Sequence, residues 1–232
     1  MKKSLILPLL LLSLVSSPAR ANDFSTGLAA YKNGDFATAL RVWTPLAEQG
    51  DSLAQYNLAV LYENGYGVAA DAQVAVKWYR LAAEQGDADA QYNLAVIYDE
   101  AEGVPEDNQA AVKWYRLAAE QGLAAAQYNL AVMYDEGEGV AEDDQTAVTW
   151  YRIAAEQGYA DAQYNLAVMY NEGEGVPQDS RYAHMWWNIA GSAGDQEAGN
   201  NRDILEKKMT SAQIAEAQEL ARECIAGDLK GC

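Results

Sequence analysis

Apolar residues recur along this chain at the spacing of an α-helix. In the stretch that begins at Ala90, the residues Ala90, Leu94, Ala95 and Tyr98 occupy positions i, i+4, i+5 and i+8. Residues at this spacing share one face of a helix, so the pattern predicts an amphipathic first helix. The glycine and proline that follow at positions 103 and 105 break the pattern and predict a turn.

A second helix is predicted directly after this turn. Asp107 lies where its side chain can cap the first helical turn, and an aspartate takes the same place elsewhere in the chain, at Asp35, Asp71, Asp143 and Asp179. The apolar face of this second helix contains Ala111, Trp114, Tyr115, Ala118 and Ala119. Gly122 predicts its end, because glycine readily adopts the left-handed conformation found there. Each unit is therefore expected to be a hairpin of two antiparallel helices, each about 11 to 14 residues long.

The same pattern returns every 36 residues. The segment Ala-Gln-Tyr-Asn-Leu-Ala-Val begins at Ala54, Ala90, Ala126 and Ala162, and residues 90–122 are identical to residues 126–158 at 26 of 33 positions. A fixed period of this size is typical of a stacked array of one supersecondary unit. One hairpin cannot bury its own apolar faces, so successive hairpins are expected to share a core of alanine, tryptophan and tyrosine.

These residues resemble the Sel1-like repeat family, which is related to the tetratricopeptide repeats. The family pattern joins Leu-Gly-x-x-Tyr, a Gly-x-Gly-Val turn, an aspartate and Ala-x-x-Trp-Tyr-x-x-Ala-Ala-x-x-Gly, and the first copy here runs from Ala54 to Gly86. Alanine replaces the glycine after leucine in every copy, and Ala101 replaces one turn glycine. The resemblance implies an all-α fold, a right-handed α-solenoid of antiparallel helix hairpins.

The chain is expected to contain additional elements at both ends of the repeats. Asp35 and Gly50 lie one period before Asp71 and Gly86, which indicates a degenerate N-terminal hairpin. At the other end, residues 210–213 form a capping box that begins a final helix, with an apolar face of Ile214, Ala217, Ala221, Cys224 and Ile225. The predicted parts are a signal peptide (1–21), the N-terminal hairpin (22–53), four repeats (54–89, 90–125, 126–161 and 162–197) and C-terminal capping helices with a tail (198–232).

The first 21 residues have the pattern of a bacterial secretory signal. Lys2 and Lys3 precede an apolar run of 11 residues, and Ala19-Arg20-Ala21 resembles a cleavage site. An apolar run of this length is too short to cross about 30 Å of hydrocarbon, so a membrane anchor is the weaker interpretation. We expect cleavage before Asn22 and a mature protein in the periplasm or outside the cell, with no membrane insertion.

The strong acidity of the chain excludes two classes of partner. The whole sequence has a formal charge of −18, and removal of residues 1–21 would leave 13 basic and 34 acidic residues, a charge of −21. Nucleic acids and anionic lipids both require a cationic protein surface. The acidity favours cationic partners or simply keeps the protein soluble.

Candidate chemistry is sparse. His184, the only histidine, occupies the position of Val76, Val112 and Val148 in other copies, so it is expected to pack within a helix pair. No Ser-His-Asp or Cys-His arrangement is available, and the Gly-x-Gly turns join helices rather than the strand and helix of a phosphate loop. The acidic turn at residues 135–144 does not have calcium-loop spacing. We therefore predict no catalytic residues, no metal and no cofactor.

The two cysteines, Cys224 and Cys232, lie eight residues apart at the C-terminus. In an oxidising compartment they could form a disulfide that closes the glycine-containing tail. The alternatives are a packed Cys224 with a free Cys232, or a bond between two molecules.

The resemblance also implies a binding surface. In the tetratricopeptide relatives, residues two positions before and two positions after the motif leucine face a concave groove. The corresponding rows here are Tyr56, Tyr92, Tyr128 and Tyr164, then Val60, Val96, Val132 and Val168, with Glu63, Asp99, Asp135 and Asn171 near the rim. Such a groove would suit an extended or helical protein segment with apolar and basic residues. The alternative is that these side chains only pack between units.

The family resemblance implies a non-enzymatic scaffold or adaptor for protein assembly in the bacterial cell envelope. A second possibility is a secreted protein that binds cell-wall fragments or hydrolyses them. A third is a secreted effector that interacts with a host. A stable complex on affinity capture would favour the scaffold. Saturable binding or turnover of wall fragments would favour the second possibility, and protein in the culture supernatant would favour the effector.

Overall fold

The chain forms an array of helix hairpins in the computed structural model, which describes residues 18–232 and the side chains from residue 23 onward. This part of the chain contains twelve helices and no strand. The helices are α1 (Pro18–Lys32), α2 (Phe36–Glu48), α3 (Ser52–Asn64), α4 (Ala72–Glu84), α5 (Ala88–Asp99), α6 (Asn108–Glu120), α7 (Ala124–Glu136), α8 (Asp144–Ala155), α9 (Ala160–Glu172), α10 (Ser180–Ser192), α11 (Gln196–Glu206) and α12 (Ser211–Ala226).

Each helix packs mainly against the helices before and after it in the sequence. The closest packing joins α3 to α4, α5 to α6, α7 to α8 and α9 to α10, and each pair also contacts the next pair. Helix α12 instead folds back on α10, which α11 also contacts. Because nearly all contacts are between neighbours, the all-α fold is a repeat solenoid whose stability depends on neighbouring hairpins.

The predicted helix boundaries follow from capping. The carboxylates of Asp35, Asp71, Asp107, Asp143 and Asp179 each accept a hydrogen bond from a backbone N–H in the first turn of α2, α4, α6, α8 and α10. These five caps are confirmed. At the other end of α6, Gly122 has φ of +94°, as expected for a glycine just beyond a helix end.

The core consists of the predicted stripes of small and aromatic residues. Ala90, Leu94 and Ala95 of the first stripe are fully buried, as are the alanines and the tyrosine of the second. Trp114 is 8% exposed. Tyr98 differs from the prediction, because it is only half-buried and its hydroxyl is hydrogen-bonded to the guanidinium of Arg80.

The turn inside each repeat is held by two glycines with positive φ, except in the second copy. There Ala101 adopts φ of +57° at the position of Gly65, Gly137 and Gly173. The second turn glycine approaches the preceding repeat: an added Cβ at Gly139 would lie 2.3 Å from the carbonyl oxygen of Asn108, the first residue of α6. The backbone contact between repeats therefore requires a residue without a side chain here.

The C-terminal cap agrees with the prediction in part. Thr210 and Gln213 form the predicted capping box of α12. Ala217, Ala221 and Cys224 are buried, but Ile225 is 51% exposed, so the apolar face is narrower than predicted. The structure joins Cys224 to Cys232 through a disulfide, with 5.6 Å between their Cα atoms.

The predicted signal peptide lies outside the described residues, apart from the backbone of the first turn of α1. Cleavage before Asn22 therefore stays a prediction. Within residues 18–232, no helix combines the length and the apolar character that a membrane crossing requires.

Candidate functional site

The predicted rows of tyrosine and valine lie on four successive first helices, α3, α5, α7 and α9. We call them the tyrosine–valine surface, and its eight residues are Tyr56, Tyr92, Tyr128, Tyr164, Val60, Val96, Val132 and Val168. All eight are partly exposed, in contrast to the fully buried Leu58, Leu94, Leu130 and Leu166 between them. Partly exposed tyrosine and valine side chains thus recur at the same two positions of the first helix in all four repeats.

A second set of tyrosines lies beneath this surface. Tyr79, Tyr115 and Tyr151, on α4, α6 and α8, are fully buried. The rings of Tyr92 and Tyr115 have centroids 5.9 Å apart, and the other two pairs have nearly the same spacing. The surface tyrosines of the first three repeats therefore each rest on a buried tyrosine of the same repeat, and Tyr164 rests on Trp187 with centroids 6.5 Å apart. This contact gives the surface tyrosines a packing role as well.

The buried tyrosines connect the acidic residues to the next repeat. The hydroxyl of Tyr115 donates a hydrogen bond of 3.0 Å to Asp99 and accepts one of 2.9 Å from the side-chain amide of Asn129 in the following repeat. The same arrangement occurs at Glu63, Tyr79 and Asn93 and at Asp135, Tyr151 and Asn165. The acidic residues predicted at the rim are thus also partners of buried hydroxyls.

Burial changes the titration of this network. Desolvation raises the pKa of Asp99 and of Asp135, an effect that the hydrogen bond from the tyrosine partly opposes. Desolvation and the adjacent carboxylate raise the pKa of Tyr115 far above its ordinary value. The hydroxyl therefore stays protonated at physiological pH and remains a hydrogen-bond donor.

We expect the paired substitutions Asp99→Asn and Asp135→Asn to preserve folding at pH 7, because the amide oxygen can still accept the tyrosine hydrogen bond. Since burial raises both carboxyl pKa values in the folded protein, their charged forms oppose folding at neutral pH. Protonation relieves this cost as the pH falls toward the unfolded value of about 3.9. The unfolding free energy of the wild-type protein minus that of the variant should therefore rise from pH 7 to pH 4 in urea titrations. A difference that falls over this range would contradict the assignment.

The fourth repeat interrupts the network. Trp187 replaces the buried tyrosine and Asn171 replaces the acid, so the bond between a buried tyrosine and the rim acid is absent from this repeat. Asn201, which continues the series of asparagines, donates instead to the hydroxyl of Tyr164 at 3.0 Å. That hydroxyl donates to Glu197 at 3.0 Å.

A cavity of about 280 Å³ lies at this interruption, and we call it the end cavity. Its walls include the side chains of Val168, Trp187 and Ile204, with Asn171 and Lys208 among the polar residues. The Nε1 atom of Trp187 is buried and has no hydrogen-bond partner among the described residues. The tyrosine–valine surface therefore ends in a cavity where Asn171 stands at the row position of the acids, and whose charged lining residues are Glu172 and Lys208.

The remaining sequence candidates do not form a reactive centre in the described part of the chain. His184 is fully buried, as predicted, and its Nε2 lies 2.8 Å from Oε1 of Glu206. No group of three or more histidine, cysteine, aspartate or glutamate residues within residues 18–232 could hold a metal ion. Neither the buried tyrosines nor the asparagines were predicted as partners of the acids, although both recur with the 36-residue period.

Comparison with known families identifies the repeat. Four consecutive segments match the Sel1 repeat, at residues 52–87, 88–123, 124–159 and 160–195. The chain belongs to the Sel1 repeat family. The four matched segments begin two residues before the repeats predicted from the sequence. Each matched segment contains one complete hairpin, formed by α3 and α4, α5 and α6, α7 and α8, or α9 and α10. Sel1 repeats generally mediate protein–protein interactions, and the family is generally non-catalytic.

Two solved Sel1-type structures are similar to this one. The first is a Sel1 repeat protein from Oxalobacter formigenes, with 32% identity, a TM-score of 0.75 and coverage of 88% of this chain and 84% of that one. The second is a protective antigen present in uropathogenic Escherichia coli strains, with 32% identity, a TM-score of 0.57 and coverage of 89% of this chain. The match covers 53% of that antigen, so this chain spans about half its length. No curated protein matches the chain.

Proposed function

We propose that this Sel1 repeat protein is a non-enzymatic scaffold or adaptor of the bacterial cell envelope, which binds a segment of a partner protein along the tyrosine–valine surface. The observation that carries the proposal is the recurrence of these partly exposed side chains on the first helix of all four repeats. Its aromatic residues are held on buried rings and remain partly exposed, which is the character of interface anchors. The lack of reactive or metal-binding groups among the described residues gives an enzymatic role no support.

Charge defines the chemistry of the partner segment. The first three repeats each contribute one acid, Glu63, Asp99 or Asp135, and the whole chain carries a charge of −18. A segment with basic residues would be attracted along this row, because complementary charge increases the rate of encounter. The row ends at Asn171 and the end cavity. We therefore place the basic part of the segment over repeats one to three and an apolar side chain in the end cavity.

The envelope location is part of the same proposal and rests on residues 1–21. Their charged, apolar and small-residue regions have the order of a secretory signal. N-terminal sequencing of the native protein should find Asn22 as the first residue. Recovery of a cytosolic form that retains Met1 would contradict an envelope role. That result would not test the binding surface.

The double substitution Tyr92→Ala and Tyr128→Ala should weaken binding of the captured partner by at least roughly 2 kcal/mol, about a 30-fold rise in Kd. These two residues form the centre of the surface, where binding energy concentrates. The partner is first obtained by affinity capture from the native envelope with mass spectrometry, and its Kd is then measured with purified proteins. The matched control is Leu117→Ala with Ile153→Ala, two exposed apolar residues on second helices, which should leave the Kd unchanged.

A folded tyrosine variant with unchanged affinity would contradict the proposal. If that variant unfolds, the tyrosines are mainly structural, and Val96→Lys with Val132→Lys provides the second test. Both positions are partly exposed, so the lysine stem can lie along the apolar surface while its charged end reaches solvent. The added positive charge would repel a basic segment. Asp99→Asn with Asp135→Asn should mainly slow association and flatten its salt dependence.

The end cavity favours a second candidate function, binding of a small cell-wall fragment. It combines a tryptophan with two asparagines, a glutamate and a lysine. Saturable binding of purified wall fragments by the monomer, lost on Trp187→Ala but kept on Tyr92→Ala, would support this function over the scaffold.

A further inference from the structure

On a different part of the fold, each of the first three repeats contains a pair of glutamines, of which the buried one is bonded to the backbone of the preceding unit. The buried Gln91 donates from Nε2 to the carbonyl oxygen of Ala83 at 3.1 Å. Its Oε1 accepts a hydrogen bond of 2.8 Å from Nε2 of the exposed Gln121. The same two bonds occur at Gln55 with Ala47 and Gln85, and at Gln127 with Ala119 and Gln157. In each pair, a buried amide oxygen is satisfied by the primary amide of an exposed glutamine.

The fourth repeat has the acceptor but lacks the donor. Gln163 is 2% exposed, and its Nε2 donates to the carbonyl oxygen of Ala155 at 3.1 Å, as in the other copies. The position of the exposed glutamine is occupied by Ala193, and Oε1 of Gln163 has no hydrogen-bond partner among the described residues. A buried acceptor without a partner costs free energy that a suitable donor would recover. In the fourth repeat, the buried oxygen of Gln163 therefore lacks the amide donor that the equivalent oxygens have in the other three repeats.

An open cavity of about 480 Å³ lies at this position, and we call it the glutamine cavity. Gln163 and Ala193 contribute to its lining, together with the apolar side chains of Ile189, Ile225 and Leu229. Ile225 is the residue of α12 that is 51% exposed, although the sequence pattern predicted it on the buried face. The cavity thus combines one unpaired amide oxygen with an apolar wall.

We propose that the glutamine cavity binds a glutamine side chain of a partner protein, whose primary amide donates a hydrogen bond to Oε1 of Gln163. The chain itself makes this contact three times, with donor–acceptor distances of 2.6 to 2.8 Å. The methylene groups of the incoming side chain, and an apolar neighbour in the partner, pack against Ile189 and Ile225. The site is separate from the tyrosine–valine surface and does not depend on it.

The lining of the cavity also favours glutamine over glutamate. Glutamate has nearly the same shape, but its ionised carboxylate has no hydrogen to donate to Oε1 of Gln163. Glu156 and Asp228 also line the cavity and would repel it. A comparison between these two side chains therefore tests the proposed hydrogen bond directly.

The probe is a peptide with the sequence of residues 117–122 and the change Glu120→Ala, because Glu156 and Asp228 would repel a glutamate beside Gln121. It carries Gln121 after an apolar leucine and three alanines and has no charged side chain. Its N-terminus is acetylated and its C-terminus is a methylamide, so that Gln121 supplies the only primary amide. Binding to the full chain is followed by NMR through the side-chain amide signals of Gln163 and the backbone signals of α12. The peptide with Gln121→Glu is the isosteric control and should bind at least tenfold more weakly.

The matched protein variant is Ala193→Gln, which supplies the missing donor from within the chain. Ala193 has backbone angles of −82° and −4°, close to the −84° and 0° of Gln121, so the new side chain can adopt the same position. This variant should stay folded, show a raised Tm and bind the peptide at least tenfold more weakly. If it proves unstable, Ile225→Ser at an exposed position removes part of the apolar wall and should weaken binding at least fivefold.

Three results would overturn the proposal. One is the absence of any saturable shift at Gln163, which would mean that water alone fills the position. The second is equal binding of the glutamine and glutamate peptides. The third is wild-type affinity in a folded Ala193→Gln variant. Tyr92→Ala with Tyr128→Ala should leave peptide binding unchanged, so failure here is distinguishable from failure of the tyrosine–valine surface.

Discussion

Trp114→Ala is expected to lower the free energy of unfolding by roughly 3–5 kcal/mol, because it leaves a large cavity in a core that cannot collapse around it. The ring is 8% exposed and packs within the cluster built from α3 to α7. Neighbouring repeats stabilise each other, so the loss should divide the array at its centre and let the end hairpins persist. Urea denaturation should show an earlier first transition, with a second one at higher concentration.

The equivalent Trp78 provides a control for this substitution. It occupies the same repeat position but is only partly buried. Trp78→Ala should therefore cost less than Trp114→Ala, since less apolar area is removed from the core. A denaturation midpoint unchanged by Trp114→Ala would show that this ring does not belong to the core between repeats.

Gly139→Ala is expected to be nearly as damaging, with a loss of roughly 2–5 kcal/mol. Gly139 has φ of +67°, which disfavours any residue with a Cβ atom. The new atom would also lie 2.3 Å from the carbonyl oxygen of Asn108 in the preceding repeat, so one backbone would have to move. Chemical denaturation of the purified variant measures the loss.

Gly34→Ala separates the two causes of this loss. Gly34 has a similar φ of +77°, but no heavy atom lies within 4 Å of an added Cβ. Gly34→Ala should lower the free energy of unfolding only by the cost of the unfavourable backbone conformation, about 1–2 kcal/mol. Equal losses at both glycines would show that the close approach between repeats contributes nothing.

The repeat architecture could be predicted from the sequence because several signals with one period agree. The caps at Asp107 and Asp143, the glycine at 122 and the buried stripe around Leu94 each follow from local spacing within a helix. The four-fold repetition then identifies them as one unit. Local rules were sufficient wherever the partner of a residue lies in its own helix or turn.

The site could be predicted only in outline. The family resemblance placed Asp99 near the tyrosine–valine surface, but its hydrogen-bond partner, Tyr115, is 16 residues away on the next helix. Which residue of the next helix meets Asp99 depends on how the two helices pack. The apolar pattern of a single helix contains no information on this packing. The same limit applies to Asn129, which reaches Tyr115 from the following repeat.

The glutamine pairs were missed for a different reason. Glutamine is usually exposed on helices, so Gln91 and Gln163 gave no signal of burial. Their identical recurrence was the available clue, because a residue that only faces solvent need not repeat. Ile225 shows the converse, since an apolar residue at the correct spacing remained 51% exposed once α12 had packed on α10.

Site-specific photo-crosslinking in cells tests the central claim most directly. A photoreactive phenylalanine analogue is placed at Val132, in the middle of the tyrosine–valine surface, or at Thr149, an exposed position on the second helix of the same repeat. If the surface holds a partner segment, irradiation should yield one crosslinked protein from position 132 and none from position 149. Crosslinking of the same protein from 149 alone, or no crosslink from 132 in cells where affinity capture recovers the partner, would contradict the account.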